Sequence, residues 1–207
     1  MGTRLSESDR DKIARAVAEA ESHTSGEIVP VIVDASDDYP HADLVAGLVG
    51  LFSAIAAAAI VNVETGWTAA VALVTAGFLA GLVIARLFPA LRVRLVGRGV
   101  IQTEVHQRAL QAFVENGVSR TRDRTGILIF VSLLERRVEV LADEGIHAKV
   151  PDGTWDEVVA LVLAGVRAGS LADGLTRAIA RCGELLAKDF PRREDDTNEL
   201  PDAPRSR

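Results

Sequence analysis

Apolar and polar residues alternate in different rhythms along this 207-residue chain, and in two places the alternation stops. Leu44 to Val61, LVAGLVGLFSAIAAAAIV, and Trp67 to Ala85, WTAAVALVTAGFLAGLVIA, carry no charge and present no polar face. Each runs for about 18 to 20 residues, which at roughly 1.5 Å per residue spans about 27 to 30 Å, near the thickness of a bilayer's hydrocarbon core. Helices that are apolar all round belong in a large interior or in lipid, and too little chain remains here to enclose two of them. The pattern predicts a two-span helical hairpin over residues 42–88 that turns through the polar segment Asn62 to Gly66.

The flanks, residues 1–41 and 89–190, read as two parts of one α/β domain. In LSESDRDKIARAVAEAESHT, Ser6 is placed to cap a helix with Asp9 three residues on, and Ile13, Val17 and Ala20 form a stripe at helical spacing. EIVPVIVD, bounded by Gly26 and a polar cluster, predicts a strand over 27–34 whose Pro30 suits an edge or a bulge. Beyond the hairpin, LFPALRVRLVGR fits two descriptions: a segment lying along the membrane surface with its guanidinium groups toward anionic lipid, or a linker with stop-transfer arginines. VIQTEVHQRALQAFVENG then places Ile101, Val105, Ala109, Ala112 and Phe113 on one helical face, with Gly117 positioned to end it.

Two strands follow, GILIFVSL and RRVEVLAD, and the short connection Leu134-Glu135-Arg136 makes them antiparallel neighbours. Two closing helices are expected to begin with capping boxes, Thr154 with Glu157 and Ser170 with Asp173. Their stripes are Val158, Leu161 and Val162, then Leu175, Ile179, Cys182 and Leu186, which makes Cys182 a core residue. The tail over 191–207, PRREDDTNELPDAPRSR, has one large apolar residue and is expected to be disordered.

Composition changes this picture little, because 48% hydrophobic and 25% charged residues with a mean hydropathy of +0.20 average over the two runs. A net charge of −6 without a long basic run argues against nucleic acid as a partner. A single cysteine leaves no disulfide framework and no cysteine-based zinc site. The first 21 residues are polar and helical, unlike a signal peptide. Arg86, Arg92, Arg94 and Arg98 follow the second span whereas the turn carries Glu64 and no base, so the charge rule puts the domain and both termini in the cytosol and the hairpin in the inner membrane.

"TSGEIVPVIV", "RTGILIFVSLLERRVEVLADEGI", the following Trp155 and a Gly174-centred last helix ending near "FP" together resemble the TPM domain family over residues 5–190. The terminal "NELP" is similar to that family's membrane-anchored bacterial branch. The resemblance implies an α/β/α sandwich on a small mixed sheet, here split by the inserted hairpin. It also implies acid phosphatase activity in some members, calcium binding in others, and stress or repair roles for membrane complexes.

If strands 27–34 and 126–133 run parallel and 137–143 antiparallel, one sheet end gathers Glu27, Asp123, Arg124, Thr125, Asp143 and His147, a candidate metal or anion site. Three readings stay open. Arg124 and Glu27 form a structural salt bridge, oxygen ligands hold a hard cation such as calcium, or arginine grips a phosphate. In metal-binding members the resemblance implies Asp or Asn before the glycine of the second strand, where this chain has Thr125; Asp143 matches the acid after the third. Asp143, His147 and Arg124 could be assigned phosphatase roles, although no phosphate-binding loop, paired-metal pattern or nucleophile elbow accompanies them, and catalytic residues stay unassigned. Gly77 and Gly81 have the spacing for close helix packing, within the hairpin or against other membrane proteins. The expectation is a non-enzymatic, membrane-anchored adaptor, with an acid phosphatase-like or divalent-cation-dependent phosphoester hydrolase as the alternative.

Overall fold

A computed structural model describes residues 5–61, 66–151 and 153–206. The predicted turn residues Asn62 to Thr65 lie outside the described residues. The chain divides into two units, Met1–Ser36 with Glu104–Arg207, and Asp37–Thr103.

The first unit opens with α1 (Glu7–Glu21), where the Ser6 hydroxyl accepts the Asp9 N–H at 3.1 Å and the Asp9 carboxylate accepts the Ser6 N–H at 3.0 Å. The sheet comprises β1 (Glu27–Val33), β2 (Gly126–Ser132), β3 (Arg137–Ala142) and the two-residue β4 (Arg205–Ser206), in the order β3-β2-β1-β4. β1 and β2 are parallel with Glu27 beside Gly126; β2 and β3 are antiparallel with Ser132 beside Arg137. Pro30 is tolerated for a reason visible in the ladder. The Glu27 N–H donates to the Thr125 carbonyl and the Val33 carbonyl accepts from Leu133, so odd-numbered residues of β1 face β2. Pro30 therefore lacks its donor on the opposite side, where the Ile28 N–H is taken by the Glu21 carboxylate at 2.8 Å.

Side chains alternate across the sheet, and both faces are covered. Ile28, Ile32, Ile127, Ile129 and Val131 join the buried stripe of α1 and those of α7 (Asp156–Arg167) and α8 (Leu171–Asp189) in one core. Val29, Val31, Leu128 and Phe130 point the other way and are equally buried. Glu139 pairs with Phe130 in the ladder and so shares that face, and its carboxylate meets His106, which places α5 (Arg98–Glu115) there with its buried Val105, Ala109 and Ala112. Burying a side chain such as Ile129 or Leu175 contributes about 1.5 to 3 kcal/mol, so this three-layer arrangement is where the stability of the unit resides. Gly117 follows α5 with φ of 72°, as its predicted stop required.

Two local expectations are corrected. Thr154 does not cap α7: its hydroxyl donates to the Pro151 carbonyl at 2.7 Å, and Trp155 takes the cap position without a side-chain bond. Ser170 does cap α8, accepting the Asp173 N–H at 3.3 Å. The tail over 191–207, expected to be disordered, is instead laid across the unit through residue 206. The Glu27 carboxylate accepts the N–H groups of Glu199 at 3.0 Å and Leu200 at 3.2 Å, Arg193 meets Asp123, Arg122 meets Asp195 at 3.0 Å, and β4 pairs with Val31 and Ile32. Composition weighed only apolar burial; the tail is held by polar groups that complete an otherwise unsatisfied buried carboxylate.

The second unit contains α2 (Pro40–Val61), α3 (Trp67–Leu87) and the short α4 (Pro89–Leu95). α2 and α3 are both long and apolar enough to cross a membrane. They approach at glycine: a Cβ on Gly77 would lie 2.7 Å from the Gly50 carbonyl and from the Ala54 Cβ, and one on Gly81 3.1 Å from the Gly47 Cα. Gly77 and Gly81 thus face α2 inside the hairpin. The outward faces stay bare, with Ile60 84%, Trp67 79% and Phe52 64% exposed. At the base, Asp43 receives Arg92 at 2.9 Å and Arg86 at 3.4 Å.

Candidate functional site

The sheet end predicted from the sequence is assembled as expected in its backbone. The Thr125 hydroxyl donates to the Ser25 carbonyl at 3.0 Å, the Asp143 N–H to the Gly126 carbonyl at 2.9 Å, and the Gly145 N–H to the Arg124 carbonyl at 3.1 Å. The parallel crossover puts the starts of β1 and β2 beside each other, and the antiparallel return brings the end of β3 to the same place.

The side chains at that end separate into two groups. Arg124, held at φ of 58°, reaches the Asp143 carboxylate at 3.1 Å and Glu144 at 3.7 Å. Asp143 also caps α6 (Glu144–His147), accepting the Glu144 N–H at 2.8 Å. The Arg124 to Glu27 salt bridge is not formed, because Asp143 lies beside Arg124 and the tail amides occupy Glu27. Asp123 faces Arg193, and His147 is exposed on α6. Among the described residues no three histidine, cysteine or acidic side chains form a cluster suited to a metal ion. The arginines are likewise engaged by carboxylates rather than directed together at an open anion position.

The second group went unread in the sequence. Glu21, Glu27, Arg192, Asp196, Asn198 and Asp202 line a pocket of about 120 Å³. Burial, then the charges of Glu27, Asp202 and Asp196, push the Glu21 carboxyl up to about 8, against the lowering effect of the Ile28 N–H. Burial raises Glu27 as well, opposed by the two tail amides. A signal existed: Glu21 follows Ile13 and Val17 at four-residue intervals and so continues the buried stripe of α1. Its tail partners could not be assigned, since nothing local says where an acidic extension returns. Cys182 lies in the core, where burial pushes its thiol up to about 12.

A small mixed sheet between helical layers, with an apolar hairpin inserted between its two parallel strands, defines the class of this protein as a split α/β/α sandwich. Residues 93–185 match the family model described as the TPM domain, from α4 into α8. The fold is similar to that in the NMR structure of the BA42 protein from the psychrophilic bacterium Bizionia argentinensis, with a TM-score of 0.61, 21% identity, and coverage of 98% of this chain and 95% of that one. No curated protein matches the chain significantly.

Proposed function

We propose that this chain is a membrane-anchored TPM module that acts as a non-enzymatic adaptor for membrane protein complexes. The observation that carries the reading is the insertion: β1 and β2 are neighbours in the sheet, yet the chain between them includes both apolar helices. The domain is thereby joined to the apolar helices at two points of its chain, which suits capture of membrane-embedded partners. The phosphohydrolase alternative asks Arg124, Asp143 and His147 to act on one substrate, whereas Arg124 and Asp143 neutralise each other and His147 is exposed.

The orientation we propose has the domain and both termini in the cytosol, with the hairpin in the inner membrane. No acid lies between Gly66 and Thr103, and Arg86, Arg92, Arg94 and Arg98 all fall there. Asp43 pairs with two of them, but acids contribute little to this bias and leave it standing.

The deciding experiment uses purified full-length protein in detergent, assayed for hydrolysis of a phosphomonoester with and without millimolar calcium. The expected result is no turnover above a buffer blank and no calcium-dependent change in Tm. Turnover that is lost in Arg124→Ala or Asp143→Asn, or a calcium-induced rise of several degrees lost in Asp143→Asn, would overturn the adaptor reading.

A further inference from the structure

The acidic pocket joins two separate parts of the chain. Glu21 ends α1 and Glu27 begins β1, while Arg192, Asp196, Asn198 and Asp202 come from the tail. Four carboxylates thus share a small space with one guanidinium, whose Nε is 3.9 Å from Asp196. One Glu21 oxygen accepts the Ile28 N–H, and the other is buried with no hydrogen-bond partner. A few residues further on, the tail is pinned by its Glu199 and Leu200 amides to Glu27, whose side chain belongs to the same pocket.

We propose that residues 192–206 form a releasable strap over the start and outer edge of β1, held down while Glu21 is protonated and loosened when Glu21 ionises. The groups facing Glu21 are Glu27 from β1, and Asp196, Asp202 and Arg192 from the strap; Ser22 and Thr24 complete the wall without charge. Three acids against one base leave an ionised Glu21 among net negative charge. The strap itself supplies two of those acids and part of the burial, so docking it makes the Glu21 proton harder to lose. Linkage then works in one direction: a carboxyl whose proton is held more tightly in the docked state favours docking at low pH.

The window follows from the same argument. The Glu21 contribution to docking is complete below the ordinary carboxylate range and declines as pH rises, until Glu21 ionises even under the strap at about 8, whereas the strap's ion pairs with Arg122 and Arg193 are lost only as their carboxylates protonate at low pH. Within that window each pH unit shifts the docking equilibrium by up to about tenfold per proton. Release frees the Glu27 carboxylate and the side of β1 that β4 covers. Because Pro30 has no N–H and the Ile28 N–H is taken by Glu21, the uncovered edge presents few donors and is protected from indiscriminate strand pairing.

Hydrogen exchange on the full-length protein in detergent, with chelator present, tests this. Protection of the 195–206 segment, corrected for intrinsic rates, is followed from pH 6 to pH 9, with β2 as internal reference. Wild type is expected to lose protection in the strap tenfold or more while β2 stays protected. Glu21→Gln should keep the strap protected across the range. Should Glu21→Gln fold poorly, Asp202→Asn serves in its place, since removing a facing acid brings the docked Glu21 carboxyl nearer its free value and should make the loss smaller. A change below threefold in wild type, an equal loss in Glu21→Gln, an undiminished loss in Asp202→Asn, or a parallel loss in β2 would each overturn the proposal.

Discussion

Replacing Gly165 by valine should open the first unit, and the chain carries its own reporter for the event. A Cβ at Gly165 would sit 2.6 Å from the Gly174 nitrogen and 2.8 Å from the Ser170 carbonyl oxygen. Both obstacles are backbone, so no rotamer relieves them and α7 and α8 must part by roughly 1 Å to reach ordinary contact distances of about 3.5 to 4 Å. Overpacking of this kind costs about 1 to 3 kcal/mol, and the better helix propensity of valine over glycine returns only a few tenths. A net loss of about 2 kcal/mol corresponds to roughly a thirtyfold larger open population. Cys182 lies in α8 with no exposed surface, is the chain's single cysteine, and has its thiol pushed up to about 12, so a thiol reagent reaches it only through opening. Its modification rate at fixed pH should rise about thirtyfold in Gly165→Val. Gly99→Ala, where an added Cβ meets nothing within 4 Å, should leave the rate unchanged. A Gly165→Val rate within twofold of wild type would refute the close-packing argument.

The full chain should stay with membranes through alkaline carbonate extraction, since helices with outward faces as bare as Ile60 and Trp67 need lipid around them; recovery in the soluble fraction without detergent would defeat the two-span reading. A cysteine introduced at Thr65 in a Cys182→Ala background should react with an impermeant maleimide in intact cells, whereas one at Arg15 should react only after lysis, and the reverse pattern would invert the orientation. Excising residues 42–90 and joining the ends with a flexible linker should leave a soluble unit with near-ultraviolet dichroism, because the core of the first unit between the sheet, α1, α7 and α8 is built without them. A product with far-ultraviolet signal alone would show that the hairpin is needed for packing.

Periodicity made the elements legible where one residue type dominated a face. The β-branched runs of β1 and β2 are buried on both sides, as expected of strands covered by helices in both directions, and Ser6 and Ser170 cap the helices they precede. Thr154 misled because its hydroxyl had a nearer acceptor, the Pro151 carbonyl, inside the turn that ends at Trp155. The sheet end was found but its pairing was not. Spacing brings Arg124 near both Glu27 and Asp143, and the choice between them depends on what else satisfies Glu27. That partner is a pair of backbone amides some 170 residues away in sequence, and amides carry no residue-specific signature. For the same reason the tail looked unfolded: its attachments are main-chain hydrogen bonds, exposed ion pairs and two residues of strand.

The place of the hairpin in the chain also sets an order of events during synthesis. β1 is complete at Val33, but its parallel partner does not begin until Gly126, and α2 and α3 are made in between. At about 5 to 20 residues per second, roughly five to twenty seconds pass in which a strand that is apolar from Ile28 to Val33 has emerged with nothing to pair with. During that interval the hairpin is the segment being delivered to the bilayer. Closing so long a loop carries an entropic cost that grows only with the logarithm of its length, so the delay is a matter of timing more than of final stability. Whatever shields Ile28 to Val33 in those seconds, whether α1 folded back on it or a chaperone, governs the yield of folded protein, and variants that slow hairpin insertion should aggregate through β1 before they lose any equilibrium stability.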